Sequence, residues 1–241
     1  MNKNSNTYIV IYSTVMVVVV ATLLAVAALA LKSRQDANIL NEKKEAILAS
    51  LSASDQNYDE YITAYVVDAE GQQIEGQDPL QLLFDLKTAF AEKTLPVFEA
   101  QDGRIVVPLT GVGLWGPMWG YVALEKDRNT IAGIVLDHAG ETPGLGAEVA
   151  TPKHQAMYKG KTLFEGDEFV SVSLRKGGAK DPAHEVDAIS GGTKTSDGVT
   201  AMLKNSLGAY LPLLKVAAPA TEEACCEACA ECETNKVENN E

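Results

Sequence analysis

At 241 residues the chain has room for one domain of ordinary size, a targeting segment and a tail. A hydrophobic share of 46% and a charged share of 22% exclude a disordered chain. A formal net charge of -13 argues against nucleic acid as a partner, because phosphates need clustered Lys and Arg. That charge is uneven: from Ala217 onward there are seven Glu against one Lys. All four cysteines, Cys225, Cys226, Cys229 and Cys232, lie in the same stretch. The region before it therefore has neither a disulfide framework nor a cysteine nucleophile.

Tyr8 to Leu31 is a run of 24 residues without a charge, rich in Val, Ala and Leu. As a helix it measures about 36 Å at about 1.5 Å per residue, enough to cross a hydrocarbon core of about 30 Å. A cleaved signal peptide is the competing reading, with Ala25-Val26-Ala27-Ala28 as the cleavage region. The run exceeds the apolar stretch of about 7–15 residues found in such peptides, and only Lys3 precedes it as a cationic side chain, so an uncleaved anchor is preferred. Lys32, Arg34, Lys43 and Lys44 follow the run, and positive-inside counting alone would keep the C-terminal bulk in the cytoplasm.

Beyond the anchor, Gln35 to Leu51 has helix-forming composition. Tyr61 to Ala69 reads as a strand. Pro79 to Glu92 carries a helical stripe at Leu80, Leu83, Leu86 and Phe90. Strands are predicted at Leu95 to Gln101 and Arg104 to Leu109 around an Asp102-Gly103 turn, and at Gly120 to Glu125 and Thr130 to His138. Pro143 to Gly146 is a tight loop leading to a short helix over Ala147 to Tyr158. Phe169 to Leu174 alternates as a strand. From Ser196 to Leu211 the apolar positions fall on one helical face, with Thr195 or Ser196 as the N-cap and Pro212 as the stop. Hairpins with helices set between them indicate an α+β domain with a largely antiparallel sheet. The resulting divisions are a short N-terminal segment (1–7), a transmembrane helix (8–31), a juxtamembrane helix and linker (32–57), the α+β domain (58–216) and an acidic cysteine-bearing tail (217–241).

The segment richest in chemistry is Asp187-Ala188-Ile189-Ser190-Gly191-Gly192-Thr193-Lys194-Thr195-Ser196. It is a loop of small residues running into an amphipathic helix. Free N–H groups at such a helix start form an anion site, and the two glycines let a phosphate approach the backbone. On these features alone Thr193 and Thr195 are hydroxyls beside a phosphate-sized site, and a capped loop before a core helix explains them as well. Trp115, Trp119 and Tyr121, in an apolar strand, read as core aromatics, with stacking beside a bound flat ring as the alternative. His138, His154 and His184 have no metal-ligand spacing, so no metal site is assigned. The tail thiols read as redox-labile groups on a flexible tail, with a soft-metal site as the alternative.

Asp187-Ala-Ile-Ser-Gly-Gly-Thr193-Lys-Thr195 closely resembles the Asp-x-x-Ser-Gly-Ala-Thr-x-Thr motif of proteins flavinylated by a dedicated flavin transferase; the motif's Ala is Gly192 here. About fifty residues earlier, His138-Ala-Gly-Glu141-Thr142-Pro143-Gly144-Leu145-Gly146 resembles a loop shared by two related proteins. One is the C component of the Na+-translocating NADH:quinone oxidoreductase; the other is the G component of the Rnf-type complex. Gly113-Leu-Trp115-Gly-Pro-Met-Trp119-Gly-Tyr121 looks more like the quinone-reductase component.

The resemblance implies FMN joined through its phosphate to the Thr193 hydroxyl, with Ser190, Gly191, Gly192 and Thr195 shaping the phosphate loop. It implies that Glu141, Thr142 and Leu145 line the flavin ring and that Asp187 assists the transfer. It further implies an electron carrier on the extracytoplasmic face of the inner membrane, against the charge count, which is not catalytic alone. Its partners would be the other subunits: an iron–sulfur-carrying membrane pair that supplies electrons and a second covalent-FMN subunit that receives them. A flavin-free, membrane-anchored scaffold is the alternative from a different class.

Overall fold

A computed structural model describes residues 6–215 of the chain; the cysteine-bearing tail lies outside them. A single helix, α1 (Asn6–Ser50), opens the described residues, so the segments expected as anchor and juxtamembrane helix form one uninterrupted element. It is long and apolar enough to cross a membrane, with a mean hydropathy of 2.8 over its most apolar window and no part of that window buried. The chain divides into two compact units after Lys44.

The second unit is an α+β domain. In chain order it comprises α2 (Tyr58–Tyr61), β1 (Ile62–Val67), β2 (Gln73–Ile74), α3 (Pro79–Leu82), α4 (Leu86–Glu92), β3 (Leu95–Ala100), β4 (Ile105–Val112), β5 (Pro117–Leu124) and β6 (Ile131–His138). After a 3-10 turn at Gly146–Ala150 come α5 (Pro152–Gln155), β7 (Phe164–Glu165), β8 (Glu168–Phe169), β9 (Ser173–Arg175), β10 (Glu185–Asp187), α6 (Thr193–Ala209) and α7 (Leu211–Lys215). Six strands form one sheet in the order β2-β1-β3-β4-β5-β6, with every neighbouring pair antiparallel.

Both faces of this sheet are covered, as the alternation along its strands requires. Ile105, Val107 and Leu109 of β4 and Val122 and Leu124 of β5 point into one core with Val199, Met202, Leu203 and Leu207 of α6. Val106, Tyr121 and Ala123 point the other way, into a second core closed by Ile47, Leu48 and Leu51 and by Leu83 and Leu86. The inner face of α6 repeats at helical spacing from Val199 to Leu207. Each of its fully buried aliphatic side chains contributes about 1.5–3 kcal/mol, so packing rather than propensity holds the helix. Ser206 fastens it to β4, its hydroxyl accepting from Thr110 N at 3.1 Å and donating to Thr110 O at 3.2 Å.

Several predicted elements are corrected by local chemistry. The stripe over Pro79–Glu92 is two short helices, because the Asp85 carboxylate accepts from the Thr88 amide (3.2 Å) and hydroxyl (2.7 Å) and restarts the helix there. The strand expected over Phe169–Leu174 is split by Ser171, whose φ of +63° turns the chain between β8 and β9. A parallel pairing of β9 with β10 has no counterpart in the sequence reading. Pro212 does not end α6; the helix stops at Ala209, and Pro212 sits in the first turn of α7, where its missing N–H costs nothing.

Candidate functional site

The loop after β10 delivers the chain to α6. Gly191, at φ +73°, makes the turn, and the helix then begins at Thr193 with Gly192 as its N-cap. This is earlier than the expected start: Thr195 and Ser196 are not caps but buried residues of the first turn. Ser196 works from inside, its hydroxyl accepting from Ile189 N at 3.0 Å and donating to Gly192 O at 2.9 Å, which closes the loop onto the helix.

The two threonines of the motif therefore have opposite fates. Thr193 is exposed at the first helical position. Thr195 is 1% exposed, and its hydroxyl donates to Glu141 Oε2 at 2.6 Å. The amides of Thr193, Lys194 and Thr195 open the helix and have no carbonyl four residues back inside it. They carry the positive end of the dipole of a 17-residue helix. Lys194 is exposed and 3.9 Å from Asp197, a surface pair that is weak in water.

Glu141 lies beneath this surface. Although it is only 5% exposed, its Oε1 accepts from Trp115 N at 2.9 Å while Oε2 takes the Thr195 hydroxyl. Its own amide donates to His138 Nδ1 at 3.2 Å, which places the His138 ring proton on Nε2. Burial by itself raises the Glu141 carboxyl, but the Thr195 hydroxyl and the amides of Trp115 and Leu114 outweigh it and hold the group below the usual carboxylate range. Two glycines make room for the carboxylate: a Cβ on Gly113 would collide with Oε1, and one on Gly146 with Oε2. Thr142 and Leu145 are exposed, and Leu145 packs so closely on the turn that a Cβ on Gly191 would stand 2.5 Å from its Cδ2.

The hairpin tip between β4 and β5 supplies the remaining surface. Trp115 is 69% exposed and Leu114 is 54% exposed, so Trp115 is not the core residue its sequence context suggested. Trp119 is half-buried, and Tyr121 does join the core. Strand alternation explains Tyr121, whereas Trp115 sits in the turn, where alternation has lapsed.

The remaining expectations fall as follows. Ser190 is exposed in the turn before Gly191. Asp187 is exposed, and its Oδ1 accepts from Ala179 N at 2.7 Å, tying the preceding loop to β10. His154 and Tyr158 form a buried pair at 3.0 Å, and His184 Nδ1 lies 2.8 Å from Thr162 O. Among the described residues no three His, Cys, Asp or Glu side chains gather as a metal site. A cavity of about 310 Å³ lined by Asp127, Asn129, Phe164, Asp167 and Leu214 adjoins the end of α7, away from Thr193.

The Gly191 turn, the exposed Thr193 hydroxyl and the Leu145 side chain lie together at a helix start, the kind of terminus that favours anions. In agreement, the model of the FMN-binding domain family matches residues 113–208, spanning the hairpin tip, the Glu141 loop and α6. The C component of the Na(+)-translocating NADH-quinone reductase of Pseudomonas aeruginosa is 34% identical over 86% of this chain and 93% of its own length. That of Haemophilus ducreyi is 31% identical over 91% and 98%. The crystal structure of the same component from Parabacteroides distasonis superimposes with a TM-score of 0.70 at 42% identity, covering 76% of this chain and 96% of that one. Shewanella oneidensis NqrC gives 0.64 at 27% identity, covering 75% and 99%. The chain therefore belongs to the NqrC family, the C components of the Na(+)-translocating NADH-quinone reductase, an oxidoreductase complex, and the Rnf-type alternative is set aside.

Proposed function

We propose that FMN is held covalently on Thr193, through a phosphoester between its phosphate and the threonine hydroxyl, and that the chain relays electrons in this form. The observation that carries this reading is the division of labour between Thr193 and Thr195. One hydroxyl is exposed at the helix start, beside amides that have no acceptor within the helix; the other is buried and committed to Glu141. The residues present fit the group. The amides of Thr193 and Lys194 would hold the phosphate at the helix start, Gly191 gives the turn its positive φ, and Ser190 flanks that turn. The exposed side chains of Leu145, Leu114 and Trp115 would offer apolar surface to the ring, with Thr142 beside Leu145 in the same loop. Glu141 supports that surface from below.

When bound, FMN supplies one-electron chemistry; the protein supplies attachment, orientation and electrostatics. A covalent link keeps the cofactor on a domain outside the cytoplasm, where no pool would replace it. In this reading α1 anchors the chain in the inner membrane with the FMN domain on the extracytoplasmic face. Electrons arrive from an iron–sulfur-carrying membrane subunit pair and leave to a second covalent-FMN subunit. Residue resemblance supports this orientation over the charge count, and reporter fusions to either end of α1 decide between them.

The attachment is tested by co-expressing the chain with a flavin transferase and denaturing the product. Wild type should stay yellow through denaturation and Thr193→Val should not. Retained colour in the Val variant would sink the assignment.

A further inference from the structure

We propose that Glu141 is a positioning residue that assembles the cofactor surface, linking Thr195 at the start of α6 to the Leu114–Trp115 hairpin tip. The proposal rests on the reading of Thr193 as the FMN attachment point. Three segments far apart in sequence converge on one carboxylate. The hairpin tip gives it the Trp115 amide, α6 gives it the Thr195 hydroxyl, and its own loop carries Leu145 onto the Gly191 turn.

The fit is close on both sides. Gly113 and Gly146 stand where any side chain would displace one of the two carboxylate oxygens, so the glycines and the glutamate form one device. The base of the tip rests on α6, where Gly198 packs against the Val112 carbonyl and Gly113, and beyond that base Leu114 and Trp115 are bonded through their amides to Glu141. Val112, Leu114 and Trp115 are 70%, 54% and 69% exposed, and within the turn Gly113 N donates to Gly116 O at 2.8 Å. An exposed apolar tip of this kind moves freely unless a buried partner fixes it. Glu141 fixes it, and Thr195 orients Glu141 by occupying Oε2. The last residue of the flavin motif thus acts on a hairpin some eighty residues earlier in the chain.

The test compares Thr195→Val and Thr195→Ser with wild type as full-length protein in detergent micelles, before and after flavin loading. Valine keeps the shape and removes the donor; serine restores it. Without flavin, hydrogen exchange at the Leu114 and Trp115 amides should quicken about tenfold in the Val variant, the effect of one lost buried hydrogen bond. It should return to the wild-type rate in the Ser variant, while Val107 and Val122 in the sheet centre stay unchanged in both. In the fraction of each protein that carries flavin mass on Thr193, visible circular dichroism of the flavin should weaken in the Val variant and recover in the Ser variant. Unchanged exchange at the tip in Thr195→Val, or no recovery in Thr195→Ser, overturns the proposal. A wild-type chain that takes up no covalent FMN overturns the Thr193 reading alone, because the exchange measurement still decides whether Glu141 couples the two segments.

Discussion

Ile189 occupies the space that a methyl group on residue 192 would need: a Cβ built on Gly192 stands 2.9 Å from Ile189 Cγ2 and 3.1 Å from Ile189 Cβ. The motif this loop resembles has Ala at that position; here Ile189 leaves room only for glycine. Gly192 has φ -112°, a value open to any residue, so the constraint is packing and not backbone conformation. Gly192→Ala should therefore destabilise the domain by about 1–3 kcal/mol through overpacking. Adding Ile189→Val should recover part of that loss. Urea melts of the two single variants and the double variant give the coupling directly, and additive effects would show that the residues do not compete for space.

Glu141 should make the domain sensitive to acid. Its carboxyl titrates below the ordinary 4.5 in the folded chain, so its contribution is fully present above that value and is lost as pH falls through the lower folded value. Glu141→Gln removes this dependence. The stability gap between wild type and the Gln variant should be constant from pH 7 to about 5 and shrink below about 4.5. Other carboxylates titrate alike in both proteins and cancel in the difference. Glu141→Ala leaves the Trp115 amide and the buried Thr195 hydroxyl without an acceptor and should cost about 2–4 kcal/mol at neutral pH. Denaturant titrations across pH check both statements.

Arg104 ties three pieces of the sheet's other face together. Its guanidinium bonds Asp102 (Nε to Oδ2, 2.7 Å) and the carbonyl of Leu51 (3.0 Å), and Tyr61 donates to the same Asp102 oxygen at 2.8 Å. Burial works against the Asp102 charge, but hydrogen bonds from Arg104 and Tyr61 outweigh it and bring its carboxyl down to about 2. The Asp102 side chain is 37% exposed, so screening limits the gain. Arg104→Ala should cost about 1 kcal/mol, and Arg104→Lys should recover little of it, because lysine lacks the fork that reaches both acceptors. Thermal melts of both variants at low and high salt test this.

Much of the fold was legible in local pattern. β3 and β4 meet at the Asp102-Gly103 turn, and the inner face of α6 follows its apolar spacing, because both depend on neighbours in sequence. The errors arose where a single residue overruled the pattern: the Asp85 side chain restarting a helix, the left-handed backbone of Ser171 breaking a strand, and the Ser196 hydroxyl locking the loop so that α6 begins at Thr193. In the site, the motif singled out Thr193 as the candidate, whereas the buried place of Thr195 depends on a contact with Glu141, 54 residues away. Exposure of Trp115 was likewise hidden, since burial of a turn residue depends on what packs over it. The glycines at 113 and 146 carried a signal that could have been read: each precedes or closes a motif stretch in which only a missing side chain admits a carboxylate.

The central claim is tested most directly by fragment-ion mass spectrometry on the peptide holding residues 187–197, taken from full-length protein co-expressed with a flavin transferase. FMN mass on Thr193, with Thr195 unmodified, is the predicted result, because the Thr195 hydroxyl is buried and bonded to Glu141. FMN on Thr195, or a peptide free of flavin beside an active transferase, would contradict the account.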